Sequence, residues 1–423
     1  MLGIFSCLST VSCSKDPVTD PHIKHVSNKV ILDWNEIAYH AFGGSTYQNS
    51  LQASRINAMT HLAMHDAVNA TDPRFGRYVY QGDNTGANPV AAAATAAYEV
   101  LVHEISEKKL FLDSALQKSL AGIAEGEAKN KGVLLGKEAG RAILLARAND
   151  GSTGNPIVPV TPGNTPGVYQ AVPPFDFIFA PHWVNVKPFG IQSKDQFRPE
   201  PFPPIRSEKY TAAFKEVKEA GRLISAVRTA DQTNYTRFWY EFSEAGWNRV
   251  ARTIAGSRKL DLWETARLFA LVDMALADAY IAGWEGKFHY NLWRPYTAIR
   301  NAKEDGNSDT SEDEQWESLM PAPPVQDYPS THSALGNAAA AVMAGIVGDN
   351  TYFSMSSPTA SAGNTTRSFK SLSEAANENA DSRVRAGIHF RFACEAGQEM
   401  GNKLGNYILL NHLKPLAKGV SRK

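Results

Sequence analysis

Cysteine is nearly absent. Only Cys7, Cys13 and Cys394 occur in 423 residues, so no disulfide framework can carry the fold. Stability has to come from a packed core, which a chain of this length with 43% hydrophobic residues can build. No run of 18 or more apolar residues occurs, which excludes a membrane-spanning helix. Net charge is also missing: 43 Lys and Arg balance 43 Asp and Glu. Global attraction to nucleic acid or to an anionic membrane surface is therefore excluded, and any anion site must come from local clustering. The chain has no internal repeat and no series of alternating strands.

What is present is helical periodicity. Apolar residues recur at helical spacing over 29–42, 49–70, 88–107, 110–127 and 132–149. The pattern returns over 207–226, 230–254, 262–292, 331–347, 367–380 and 390–412. Thr229 with Gln232 has the form of a capping box. Between the two series, residues 151–206 hold most of the prolines together with Phe175, Phe177, Phe179, Trp183, Phe189 and Phe197. Disordered linkers are poor in aromatics, so this stretch reads as an ordered wrap over a helical body. The expectation is an all-α fold of packed bundles, two four-helix-bundle-like halves joined by a long Pro- and aromatic-rich ordered loop. The divisions fall at 1–28 (a tether), 29–150 (the N-terminal helical half), 151–206 (the wrap) and 207–415 (the C-terminal helical half).

The start of the chain is apolar but carries no early Lys or Arg, so the charged first region of a secretory signal is missing. Ser12-Cys13-Ser14-Lys15-Asp16 nevertheless resembles the lipidation site of a bacterial lipoprotein, with Thr10 where such sites usually carry Leu. The expectation is an exported protein, periplasmic or held at the outer membrane by a lipid on Cys13.

Three stretches of the last third carry the chemistry. Lys287 and Arg294 are seven residues apart, which on one helix would put both on one face, roughly 10 Å apart along the axis. Pro295 is expected to end that helix. An isolated Lys–Arg pair at this spacing is usually a solvated face, but Trp284, Phe288, Tyr290, Leu292 and Trp293 make this one too apolar. Cations in apolar surroundings need an anionic partner. Pro329-Ser330-Thr331-His332 opens a helix of small residues, and the unpaired N–H groups of a helix start attract anions. Ser330 and Thr331 add hydroxyls, and His332 can exchange a proton near neutral pH. In the third stretch Arg383 and His389 flank Gly387, which allows a close turn. Each stretch alone is unremarkable. Together they form a set for gripping a tetrahedral oxyanion.

The order Lys-x6-Arg-Pro, Pro-Ser-x-His, Ser-Arg-x5-His resembles the vanadium-dependent haloperoxidase and type 2 phosphatidic acid phosphatase superfamily. Arg228–Thr233, Phe238–Glu241, Ala266–Arg300 and Phe369–Gly397 are similar to its soluble haloperoxidase branch, and Met59–Asn69 and Asp195–Pro199 to that branch's N-terminal half. The resemblance implies a vanadate cofactor, with phosphate able to occupy the same site. Lys287, Arg294 and Arg383 would neutralise its oxygens, and Ser330 and the Thr331 N–H would donate to them. His389 would be the axial vanadium ligand, or the nucleophile on phosphorus in a phosphatase. His332 would be the general acid/base, and Lys287 would polarise peroxide. Glu241 aligns near an acidic residue that supports the site, and His289 and Trp284 are further candidates for its lining.

The implied activity is oxidation of halide by hydrogen peroxide to hypohalous acid, iodide or bromide before chloride. The alternatives are a soluble acid phosphatase acting on a small phosphate ester, and a disabled phosphate- or vanadate-binding protein. A homo-oligomer is compatible with the sequence. Two departures from the pattern stand out. Thr331 replaces the usual Gly, which would strain the backbone if that position needs a positive φ. Ala393 stands four residues after His389, where many members carry Asp, so His389 must be held by some other acceptor. His61 and His65 lie four apart on a helix, but no third ligand accompanies them, and they are expected to fill the helical body. Cys394 is expected to be a small buried residue.

Overall fold

The computed structural model describes residues 26–160, 163 and 165–417. The stretch expected to direct export, with Cys13, lies outside the described residues. Five helices come first: α1 Lys29–Phe42, α2 Ser50–Thr71, α3 Pro89–Glu104, α4 Lys109–Ala121 and α5 Glu127–Arg147. The wrap follows, with one short antiparallel ribbon, β1 Ile157–Pro159 and β2 Phe177–Phe179. Then come α6 Glu208–Ala220, α7 Ala230–Phe238, α8 Ser243–Ser257, α9 Leu262–Tyr290, α10 Pro295–Arg300 and α11 Thr331–Val347. A second ribbon, β3 Phe353–Ser356 and β4 Thr366–Phe369, precedes α12 Leu372–Arg385 and α13 Arg391–Asn411.

Local chemistry sets many of these starts. Asn49 accepts a hydrogen bond from the Gln52 N–H to open α2, and Asn88 does so from Ala91 before Pro89 in α3. Thr229 and Gln232 form the expected capping box of α7, and Asp261 with Glu264 forms another on α9.

The architecture centres on α2 and α9, which are buried along almost their whole length. They pack on each other, with α3 and α5 on the far side of α2 and α11 and α13 against α9. One hydrophobic core runs from Val30 to Leu413 through both series of helices.

The wrap is ordered, as its aromatics implied. Asp278, fully buried on α9, accepts backbone N–H bonds from Phe189, Gly190 and Ile191 at 2.6, 2.7 and 2.8 Å. Arg147 lies 3.8 Å over the Phe189 ring, and Arg198 pairs with Glu285.

Three expectations need correction. The stretch 230–254 is two helices, broken at 239–242 between α7 and α8. The stretch 367–380 begins as strand β4, and its helix runs on to Arg385. The two short ribbons leave the helical reading intact. Finally, α9 ends at Tyr290, where Asn291 turns left-handed at φ 51°, and Arg294 instead caps a new helix, α10, of which Pro295 is the first residue.

Candidate active site

Four segments meet around the candidate site. The last turn of α9 delivers Lys287. The turn at Asn291 brings Arg294 back beside it. The loop 325–329 leads to Ser330, the N-cap of α11. The last turn of α12 carries Arg383, and the chain then turns at Gly387 (φ 79°) to present His389 before α13.

Small residues permit this crowding. A Cβ at Gly286 would come within 2.8 Å of Pro329, and one at Gly283 within 3.1 Å of the Thr331 methyl. A Cβ at Gly387 would come within 2.3 Å of the Gly221 carbonyl oxygen. On α13, a Cβ at Gly397, Gly401 or Gly405 would strike the Ser330, Ala334 or Ala338 carbonyl of α11, at 2.3, 2.2 and 2.5 Å. The start of α11 therefore rests directly on the backbone of α13.

Lys287, Arg294 and Arg383 are each about 1% exposed. Lys287 donates to the Gln326 and Asp327 carbonyls at 2.7 and 3.1 Å. Arg294 donates from Nε to the Val325 carbonyl and from Nη1 to the Ile388 carbonyl, both at 2.7 Å, and its Nη1 lies 3.1 Å from His389 Nε2. Arg383 donates to the Trp239 carbonyl at 3.2 Å, and its Nε is buried without a partner. Lys287 and Arg383 have no carboxylate within ion-pair distance among the described residues. The one acid placed against these groups is Asp327, fully buried, with Oδ1 2.9 Å from His389 Nδ1 and 3.8 Å from Arg294 Nη1.

Three buried cations against one carboxylate leave excess positive charge in a dry place, and the acidities respond. Burial, then the neighbouring Arg294, drives the Lys287 ammonium well below its ordinary range. Burial lowers Arg383 to about 10. His332 is held well below the usual imidazole value by burial and by Arg383, and His389 by burial and by Arg294. Burial pushes Asp327 up to about 7 against the pull of Arg294 and Lys287. Both histidines are therefore neutral at pH 7. The buried Thr331 hydroxyl also lacks a partner, and the first intrahelical bond of α11 is Ala334 N–H to the Ser330 carbonyl, which leaves earlier N–H groups for a ligand.

The structure thus gathers Lys287, Arg294, Arg383, His332 and His389 around the start of α11 with Ser330 and Thr331. Thr331 is helical, without a positive φ, so the strain foreseen for a non-glycine residue is absent. Lys287 and Arg294 converge from two segments rather than from one helix face. Glu241 gives its carboxylate to Arg249, at 2.8 and 3.0 Å, and supports the site through its backbone carbonyl, 3.1 Å from His332 Nε2. His289 is exposed and set edge-on to Tyr290, so it does not line the pocket. Trp284 is buried and donates to the Phe179 carbonyl, pinning the wrap to α9. His61 is paired with Asp273 at 2.6 Å and His65 with the Gly76 carbonyl at 3.0 Å, both in the core. No cluster of three His, Cys, Asp or Glu suited to a metal ion occurs among the described residues. Cys394 is buried. Asp327 escaped the sequence reading. Its signal was an acid set in the apolar run before Pro-Ser-x-His, combined with the missing Asp at 393.

Residues 267–418 match the family model described as the VCPO second helical-bundle domain. The vanadium chloroperoxidase of Curvularia inaequalis is 31% identical over a 219-residue alignment covering 43% of this chain. That alignment spans about a third (34%) of the relative's length. Among solved structures, the first bacterial vanadium-dependent iodoperoxidase superposes with a TM-score of 0.80 at 26% identity, covering 94% of this chain and all of that one. A holo-type bacterial vanadium-dependent chloroperoxidase superposes at 0.72 over 92% of this chain and 98% of its own. At 16% identity that second likeness speaks for the fold alone. Fold, matched domain and ordered motifs agree: residues 267–418 carry a VCPO-type second helical-bundle domain, and the chain is similar in fold along nearly its whole length to vanadium-dependent haloperoxidases.

Proposed function

We propose that this protein is a vanadate-dependent haloperoxidase that oxidises iodide or bromide, in preference to chloride, with hydrogen peroxide to give hypohalous acid. The observation that carries the reading is the set of three buried cations with a single nearby carboxylate, an orphaned Arg383 Nε and an unpartnered Thr331 hydroxyl. This donor set fits a tetrahedral oxyanion of high charge. Lys287, Arg294 and Arg383 would hold its oxygens together with Ser330 and the N–H of Thr331, and His389 Nε2 would be the ligand to vanadium. Each charge-assisted hydrogen bond contributes roughly 1.5–3 kcal/mol. Bound vanadate supplies a Lewis-acidic centre that activates peroxide without needing to change its own redox state.

His332 moves the proton. Its Nε2 faces the Glu241 carbonyl and so carries the hydrogen, which leaves the Nδ1 lone pair to accept a proton from incoming peroxide. Lys287 spends two of its hydrogens on the Gln326 and Asp327 carbonyls. The third is available to polarise a bound oxygen. Preference for iodide or bromide is supported by the likeness to the iodoperoxidase along nearly the whole chain.

A second reading, an acid phosphatase in which His389 attacks phosphorus and His332 protonates the leaving group, is favoured by the Asp327–His389 contact, because an imidazole oriented by a carboxylate is a better nucleophile. One experiment separates the two. Purified protein is assayed with and without orthovanadate for peroxide-dependent oxidation of iodide, bromide and chloride, beside hydrolysis of a chromogenic phosphate monoester. Halide oxidation that requires vanadate is the expected result. Phosphate hydrolysis inhibited by vanadate, without halide turnover, would replace the first reading with the second.

A further inference from the structure

We infer that Asp327 is the residue that positions His389 for vanadium, doing from the loop before α11 what a carboxylate on the first turn of α13 would otherwise do. The inference rests on the vanadate reading above.

The side chains that follow His389 cannot hold its ring. Position 393 is Ala and position 394 is Cys, whose thiol burial pushes up to about 12, so neither offers an anionic acceptor. The Asp327 carboxylate lies 2.9 Å from His389 Nδ1, against 3.8 Å from Arg294. The imidazole, not the guanidinium, is its nearer partner.

The tautomer is assigned from the acid beside Nδ1. Arg294 Nη1 lies 3.1 Å from His389 Nε2 and 3.4 Å from Nδ1, so it approaches both ring nitrogens and leaves the tautomer to the acid. Both Asp327 carboxylate oxygens are buried without a hydrogen bond, and the nearest donor open to them is a ring hydrogen on His389 Nδ1, 2.9 Å away. A carboxylate on Nδ1–H fixes the ring and raises the donor strength of Nε2, as outer partners of metal-bound histidines do.

The backbone of Asp327 makes the placement rigid. Its N–H donates to the Leu292 carbonyl at 3.0 Å, and its carbonyl accepts from Lys287 at 3.1 Å. One residue therefore registers His389 against both Lys287 and the turn that carries Arg294.

The rival role is plain charge balance, and the two roles predict opposite signs. Vanadate would bond to Nε2, whereas phosphate held in the same place would be gripped by charge and hydrogen bonds alone. If Asp327 only balances charge, Asp327→Ala and Asp327→Asn should bind both anions as tightly as the wild type or more tightly. If Asp327 positions His389, vanadate affinity should fall about 10–100-fold, while phosphate affinity holds or rises. Both dissociation constants are to be measured by calorimetry on apo protein whose melting curve shows it folded.

The second readout needs no bound anion: ¹⁵N spectra of histidine-labelled apo protein. The wild type should show His389 as the Nδ1–H form, and Asp327→Ala should show a mixture of tautomers. Asp327→Asn keeps the side-chain shape, so it carries the test if the alanine variant does not fold. Restoration of vanadate affinity by Ala393→Asp in the Asp327→Ala background would further support the assignment. Parallel changes in the two affinities, with unaltered His389 signals, would overturn it. A wild type that binds phosphate but not vanadate would instead sink the vanadate reading, and the tautomer measurement would still decide the role of Asp327.

Discussion

Glu244 is a residue that the proposed chemistry leaves unused and that still has a measurable consequence. It is buried on α8, where it accepts hydrogen bonds from the Tyr47 and Tyr280 hydroxyls at 2.5 and 2.8 Å. Burial pushes its carboxyl up to about 7, although both hydroxyls pull it down. An unfolded glutamate titrates near 4.3. Between those values the native protein binds the proton more tightly than the unfolded chain. Its contribution is therefore most favourable below about pH 4.3 and is lost as pH rises to about 7, by roughly 4 kcal/mol in all. Glu244→Gln should flatten that part of the profile and gain stability relative to wild type at pH 8 but not at pH 5, as read by urea unfolding at the two pH values. Arg383→Ala belongs to the same scale. Removing this cation should lower phosphate affinity at least tenfold, while the apo protein in anion-poor buffer loses little stability because like-charge repulsion is relieved. Calorimetric titration and a melting curve check the two halves. At this scale the cations and histidines were legible because each sits in a short motif of its own. Asp327 was not, since its partner lies 62 positions further along the chain (389 − 327). His289 misled for a simpler reason: two residues after Lys287 on a helix is roughly 200° around the axis.

Among the elements, two helix pairs share one device. Gly132, Gly136 and Gly140 of α5 lie against α3 as Gly397, Gly401 and Gly405 of α13 lie against α11, one small residue per turn facing a carbonyl or a Cβ of the partner. No side chain separates the second pair of backbones, so the position of Ser330 is set by main chain against main chain. Gly401→Ala should cost about 1–3 kcal/mol by overpacking and weaken phosphate binding by displacing the start of α11. Gly256→Ala on α8, where a Cβ meets nothing within 4 Å, should instead stabilise by about 0.5–1 kcal/mol. Thermal unfolding of both variants, with phosphate titrations, tests the contrast. Periodicity read α1, α2 and α11 to within a residue of their ends. It failed where a break hid inside continued patterning: Phe238 and Trp239 keep the apolar rhythm going through the gap between α7 and α8. It also read Pro295 as a stop, when a proline at the first position starts a helix. Six residues are too few for α10 to show a period.

For the molecule as a whole, composition separated two series of helices but could not show that they share a core. The reason is that α2 and α9, far apart in sequence, are each buried along almost their whole length and pack on each other. Heating should therefore give one cooperative transition by calorimetry, and a fragment spanning 207–417 should fail to fold as a soluble monomer, because it would expose the α9 surface that α2 covers. Oxyanions should raise that transition, by about 2.7 kcal/mol at a hundred times their dissociation constant. The same excess of buried positive charge has an outcome in competition. The three cations would count charge and oxygens, which phosphate and vanadate share; on the proposed reading only a bond to His389 Nε2 would tell the two apart. How much of the protein is catalytically loaded is then a ratio, the abundance of vanadate weighted by the strength of one nitrogen–metal bond against the abundance of phosphate. Protein drawn from a phosphate-rich medium should carry the wrong anion in most of its molecules and wake only as that anion is exchanged.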